Sequence, residues 1–187
     1  EKNVQENVWA LRKAGLGLLM SRRTYSRAIA FIEDLTISPK QIGPFIEELM
    51  EYLRSKGKEA GVYGHAGAGL IHIRPYVDLR DPQELETMLT IMDDVANIVL
   101  KYGGALTGEH GDGLIRSWLN KKMFGDHVYE AFEKVKTAFD PRNLMNPGKI
   151  VSGPRPEDNL RMHPGIKPIR VKTFLDQMAE CASLPVA

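Results

Sequence analysis

The chain has 187 residues, enough for one well-buried core with appendages. Its 25 lysines and arginines against 24 aspartates and glutamates give a net charge of +1, with no sign of a nucleic-acid surface. One cysteine, Cys181, excludes an internal disulfide and suits a reducing compartment, and no apolar run reaches the length of a membrane span.

The chain begins at Glu1 rather than Met, which reads as a fragment or a processed product, and its polar, mixed-charge start is unlike a signal peptide. Ala14 to Met20 is the most apolar early stretch and is short. Phe31 to Ile37 has strand character. Ser38-Pro39 then opens a helix with Gln41 at the capping-box position, an apolar face of Ile42, Phe45, Ile46, Leu49, Met50 and Leu53, and a stop at Gly57. Two strands follow around Gly67-Ala68-Gly69, which suits a tight hairpin turn. Asp81-Pro82 opens a second helix, with Glu84 completing a capping box and Leu85, Met88, Met92, Val95 and Val99 on one face. The chain turns at Gly103-Gly104 into a short segment ending at Glu109-His110.

This order of strand, helix, two strands, helix, strand predicts an α+β fold: a ferredoxin-like antiparallel sheet with two helices on one face. Extra C-terminal helices are predicted at residues 114–124 and 128–139, the second with a stripe of Val128, Phe132, Val135 and Phe139. Asp140-Pro141 ends it, because proline disfavours helical geometry in the residue before it. After Ser152, prolines alternate with charges, and residues 153–187 read as an extended linker or tail to a domain of residues 1–152.

Chemistry concentrates in two glycine-rich stretches, Tyr63-Gly-His65-Ala-Gly-Ala-Gly-Leu-Ile-His72 and Gly108-Glu109-His110-Gly-Asp-Gly113. A turn centred on Ala68-Gly69 would set His65 directly opposite His72, side chains on one face. Two histidines and a glutamate suit a divalent transition metal with an open coordination position, such as Zn, Mn or Fe. A lone histidine in such a hairpin reads as a core residue bonded to backbone; the constellation reads as a site. Arg74 and Arg116 are candidates to grip a carboxylate bidentately, against surface charge and helix salt bridge as the plain alternatives. Asp112 reads as a helix cap.

These motifs carry a resemblance. With Trp9-Ala-Leu-Arg-Lys13, Glu33-Asp34-Leu-Thr-Ile37, His72-Ile-Arg-Pro75 and Asp140-Pro-Arg-Asn-Leu-Met-Asn-Pro-Gly-Lys149, the chain from about residue 8 to 152 resembles the C-terminal domain of the FAD-linked oxidases of the vanillyl-alcohol oxidase superfamily. Within it, the chain is most similar to the glycolate oxidase and D-lactate dehydrogenase group, especially forms fused to an iron–sulfur region. The resemblance implies the substrate-binding cap of an enzyme oxidising a 2-hydroxy acid to a 2-oxo acid. FAD would be bound mainly by a domain absent from this chain. It implies His65, His72 and Glu109 as metal ligands, His110 as general base and Asn146 at the flavin edge. It also implies a cytoplasmic protein, peripheral to a membrane in the full complex, partnered by its FAD domain and an iron–sulfur domain or subunit. The isolated chain should be inactive and self-associate through its exposed interface. Many relatives carry Gly-Asp-Gly-Asn between the histidines, where this chain has Gly67-Ala68-Gly69-Leu70, and Arg74 stands where some carry a small polar residue. Cys181 falls where fused relatives begin a cysteine-rich segment, with no partner cysteine after it. A metal-dependent hydrolase or lyase, and a non-catalytic binding or assembly module, are the competing classes.

Overall fold

A computed structural model describes residues 2–22 and 24–167. Cys181 and the tail from Pro168 onward lie outside the described residues. Strand β4 (Leu70–Val77) is the axis of the sheet. Along one edge it pairs antiparallel with β3 (Ala60–His65). Along the other it meets two short strands, β1 (Arg27–Ala28) near its end and β2 (Leu35–Thr36) at its start. Ala105 adds a single bridge to Thr36 beyond β2. The spatial order Ala105, β1/β2, β4, β3 is the split βαβ arrangement, with its first and last strands reduced to fragments.

Helices α2 (Ile42–Ser55) and α3 (Pro82–Lys101) supply the cover. Phe45, Leu49 and Leu53 from α2 and Met88, Ile91, Met92, Val95 and Val99 from α3 are buried with Leu35, Ile71 and Ile73 of the sheet. Full burial of such a side chain contributes roughly 1.5–3 kcal/mol, so this layer dominates the stability of the body. Helix α2 stops as expected at Gly57, whose φ of 69° lets the amides of Lys56, Gly57 and Lys58 close back on the last carbonyls.

Several local expectations are corrected. Phe31 to Ile37 is not one strand. Only Leu35–Thr36 joins the sheet, while Phe31 to Asp34 is buried without a ladder. Ser38 makes no cap: Pro39–Gln41 is a 3-10 turn leading into α2. Asp81 does cap α3, accepting from the Gln83 amide, but Glu84 pairs with Lys58 instead of closing a box. The segment expected as a helix over 114–124 is a short α4 (Gly113–Arg116), a 3-10 turn (Ser117–Leu119) and the start of α5 (Asn120–Phe139). Gly125, at φ 76° and ψ 165°, breaks α5 near the expected gap. Asp112 occupies the N-cap position of α4 without a side-chain bond. The expected stripe on α5 lies at the surface, with Val128, Val135 and Phe139 exposed.

Helix α1 (Lys2–Met20) was not foreseen. Leu19 seats it on β3 at Gly61, where a Cβ would lie 2.2 Å from the Leu19 side chain. From Gly153 to Met162 the chain stays on the body. Gly153 abuts Ser117, Pro156 is buried, and Leu160 and Met162 pack on the core. No helix among the described residues is long and apolar enough to cross a membrane.

Candidate metal and proton-transfer site

The β3–β4 hairpin holds the first two histidines, though not in the expected register. The turn takes four residues, Ala66 to Gly69, so His65 faces Leu70 and His72 faces Tyr63. The shift is two residues along β3. Side-chain direction alternates with period two, so both histidines stay on one face as diagonal neighbours. Their ring centroids lie 5.5 Å apart. Gly69 makes the turn possible: its φ is 75° and a Cβ would fall 1.9 Å from the Ile37 carbonyl oxygen.

Glu109 and His110 arrive on the loop after Ala105. Asp34, fully buried, clamps this loop. It accepts from the amides of Glu109 (3.2 Å) and His110 (2.9 Å) and from the Thr107 hydroxyl (2.9 Å). Burial alone would raise the Asp34 carboxyl, but these donors and the nearby Arg116 outweigh it and hold it below the usual carboxylate range. Gly108 allows the loop to lie against Thr36 and Leu70, where a Cβ would be 2.0 Å and 2.4 Å from their side chains.

The result is a convergence on one oxygen. Glu109 Oε1 lies 3.2 Å from His110 Nε2, 3.3 Å from His72 Nε2 and 3.7 Å from His65 Nε2. Ligands held about 2.0–2.2 Å from a tetrahedral ion are roughly 3.3–3.6 Å apart, so Glu109 stands to His72 and His110 much as two ligands of one ion do, with His65 slightly farther off. The group whose ligand atoms all lie within 4.8 Å of one another is Asp34, His72, Glu109 and His110, so the expected base stands closer to this group than the expected ligand His65, which is outside it. Asp34 is the weakest of those four as a ligand, because its oxygens already serve the loop. His65, Glu109 and His110 are about half exposed and His72 is 3% exposed, so the cluster opens to solvent on one side.

Burial holds the His72 imidazole below its usual pKa, with His110 adding to the effect and Glu33, Glu109 and Asp34 opposing it. A neutral imidazole is the form that ligates metal. His72 Nδ1 is buried without a hydrogen-bond partner, and the nearest carboxylate, Glu33 Oε1, is 3.4 Å away. A carboxylate behind a ligating imidazole is the usual support of a metal site. On the donor set and this orphaned nitrogen, the residues present fit a divalent ion.

The two arginines are placed differently. Arg74 donates to Glu33 (2.9 Å) and to the Tyr63 hydroxyl (3.2 Å) and keeps partial exposure. Arg116 is buried under the loop, donating to the carbonyls of Leu106 (3.2 Å) and Gly111 (2.5 Å), with Asp34 at 3.5 Å. Its guanidinium is spent on bracing the loop. Asn146 is exposed with φ 49°, in a separate loop organised by Asp140, which accepts from the amides of Leu144 and Met145. Glu33, Asp34 and Tyr63 were not singled out as site residues. The available signal was an acidic pair, Glu33-Asp34, set inside the apolar run Phe31 to Ile37, since buried carboxylates need dedicated partners.

Comparison with known proteins places these observations. The family of FAD linked oxidases, C-terminal domain, matches residues 1–150. A D-2-hydroxyglutarate dehydrogenase of Escherichia coli (strain K12) is 41% identical over 145 residues, 78% of this chain and 14% of that protein. The glycolate oxidase subunit GlcD of Bacillus subtilis is 29% identical over 147 residues, 78% of this chain and 31% of that protein. A mitochondrial D-lactate dehydrogenase [cytochrome] of Saccharomyces cerevisiae is 28% identical over 145 residues, 76% of this chain and 24% of that protein. The chain thus spans a minor part of each relative.

Proposed function

This chain belongs to the C-terminal domain family of the FAD-linked oxidases, and on that premise we propose that it is the substrate-binding part of an FAD-dependent enzyme oxidising a D-2-hydroxy acid to the 2-oxo acid. The observation that carries the proposal is the convergence of three imidazole Nε2 atoms on Glu109 Oε1. His65, His72 and Glu109 would hold a divalent ion of the Zn, Mn or Fe class. When bound, such an ion supplies Lewis-acid polarisation of the hydroxyl and carboxylate oxygens of the substrate. His110 Nε2 takes the hydroxyl proton. FAD, which the rest of the protein would mainly hold, would supply the acceptor for the hydride equivalent on the carbon that bears the hydroxyl, and the exposed Asn146 carboxamide would be this chain's contribution to its edge. Arg74, partly open beside the histidines, is the side chain we assign to the substrate carboxylate; Arg116 serves by holding the loop. Residues 1–152 form the substrate domain and 153–187 a tail whose first part docks on it. The exposed apolar stripe of α5 supports self-association of the chain in isolation.

The test is anaerobic flavin reduction by the full-length protein with D-2-hydroxyglutarate, D-lactate and glycolate in turn. Bleaching of the flavin by one of these, lost on chelator treatment and in His110→Ala, is the expected result. A flavin that none of them reduces would refute the assignment. A metal-dependent hydrolase or lyase would instead turn over substrate without flavin bleaching.

A further inference from the structure

The Nδ1 sides of the histidines are as ordered as their Nε2 sides. His72 and His110 stack nearly parallel, with centroids 5.3 Å apart and planes 20° apart, and Tyr63 stacks on the other face of His72 at 4.7 Å. Behind this column sits Glu33, which is nearly buried. Its Oε1 is 3.4 Å from His72 Nδ1 and its Oε2 is 3.7 Å from His110 Nδ1. Arg74 donates to Oε1 at 2.9 Å and the Tyr63 hydroxyl lies 3.5 Å from the same oxygen. Two imidazoles therefore lie between two carboxylates, Glu109 toward their Nε2 atoms and Glu33 toward their Nδ1 atoms, at distances that a small shift would bring to hydrogen bonds.

We propose that Glu33 is a positioning residue that serves both imidazoles at once, one oxygen to each Nδ1–H, so that both Nε2 atoms present their lone pairs to the site. The inference rests on the reading of His72 as ligand and His110 as base. A neutral imidazole carries one ring proton, and the nitrogen that donates it cannot also ligate or accept. A carboxylate accepts but never donates, so Glu33 favours the Nδ1–H tautomer on both rings once a bound ion engages Glu109, whose Oε1 otherwise faces the same two Nε2 atoms. Arg74 balances the Glu33 charge and fixes its orientation. In turnover the hydroxyl proton goes to His110 Nε2 and the hydride equivalent to the flavin. Glu33 takes neither and holds the resulting imidazolium by its Nδ1–H. A single carboxylate thus couples metal retention to proton transfer.

Glu33→Gln keeps shape and removes this property, because a carboxamide can accept from one ring only while offering N–H to the other. Two readouts in the full-length flavoprotein are needed: zinc affinity by competition with a chelator, without substrate, and kcat and KM for the hydroxy acid at saturating zinc. The expected result is zinc affinity weakened about 10–100-fold and kcat lowered on the order of 100-fold even when zinc is saturating, with KM little changed. Glu33→Asp keeps the charge with shorter reach. It should recover part of either loss, and it decides the matter if the Gln variant does not fold. Unchanged zinc affinity and kcat in the Gln variant would overturn the proposal. So would a kcat loss that excess zinc fully restores, since His110 would then be independent of Glu33. If the Asp variant alone is measurable, wild-type values in both readouts would overturn it as well. A wild-type protein that oxidises no hydroxy acid would sink the functional reading instead, and the zinc comparison would still judge Glu33.

Discussion

Replacing Asp34 with asparagine should separate the scaffold of the site from its ligands. Asp34 makes no hydrogen bond to a candidate ligand side chain, although its carboxylate lies within 4.8 Å of the ligand atoms of His72, Glu109 and His110, and it holds the Glu109 and His110 amides and the Thr107 hydroxyl from beneath the loop. A hydrogen bond to a charged acceptor contributes about 1.5–3 kcal/mol and a neutral one about 0.5–1.5. Neutralising an acceptor of three such bonds therefore costs on the order of 1 kcal/mol each, or about 3 kcal/mol together. The carboxamide also turns an N–H toward a donor, and it leaves buried Arg116 without the carboxylate 3.5 Å away. Both effects push the loss above that figure rather than below it. Urea denaturation gives the stability change, and zinc titration of the folded variant gives the geometric one. With the loop loosened, Glu109 should leave its place beside His72 and zinc binding should weaken about tenfold or more. An Asp34→Asn protein within about 0.5 kcal/mol of wild type, with unchanged zinc affinity, would refute the clamp.

Two further outcomes test the frame around the site. Gly69→Ala should destabilise by more than about 2 kcal/mol, because φ 75° disfavours any side chain and the new Cβ would strike the Ile37 carbonyl at 1.9 Å. A thermal melt unchanged by this substitution would mean that the hairpin turn is built differently. At the other end, Lys136 above all, with the Leu144 and Met145 amides, holds the Asp140 carboxyl down to about 2. The folded-state value lies below the unfolded one, so this contribution is complete above the usual carboxylate range and disappears as pH falls from about 4 through about 2. Exchange of the Leu144 and Met145 amides, corrected for its intrinsic pH dependence, should accelerate across that window. In Asp140→Asn it should be fast already near neutral pH. Wild-type protection in the variant would show that the Asn146 loop does not depend on Asp140.

Residues whose meaning depends on period survived translation into three dimensions better than residues whose meaning depends on partners. The face shared by His65 and His72 was legible because a two-residue slip in register returns every side chain to the same side; a one-residue slip would have separated them. The stripes of α2 and α3 were legible for the same reason. Helix α1 offered neither an acidic first turn nor a basic last turn, and little of it is covered by the body, so no start, stop or core signal marked it. The α5 stripe shows the limit of periodicity, which finds an apolar face but not whether this chain is what covers it.

The acidic pair Glu33-Asp34 was hardest to place for a different reason. Its side chains act on residues about 30–75 positions away, Tyr63, His72, Arg74, Thr107, Glu109 and His110 among them, so no local pattern could assign them. Yet their location in an apolar segment is itself informative. Taking two adjacent carboxylates out of water costs several kcal/mol each unless donors meet them. A sequence that keeps both there must supply those donors from elsewhere in the fold. Here the donors are the loop carrying Glu109 and His110 on one side and the guanidinium of Arg74, with the Tyr63 hydroxyl, on the other. Desolvation of Glu33 and Asp34 therefore binds the hairpin and the loop into one unit. The histidines and Glu109 can meet at one point because two carboxylates behind them would otherwise stand unpaired.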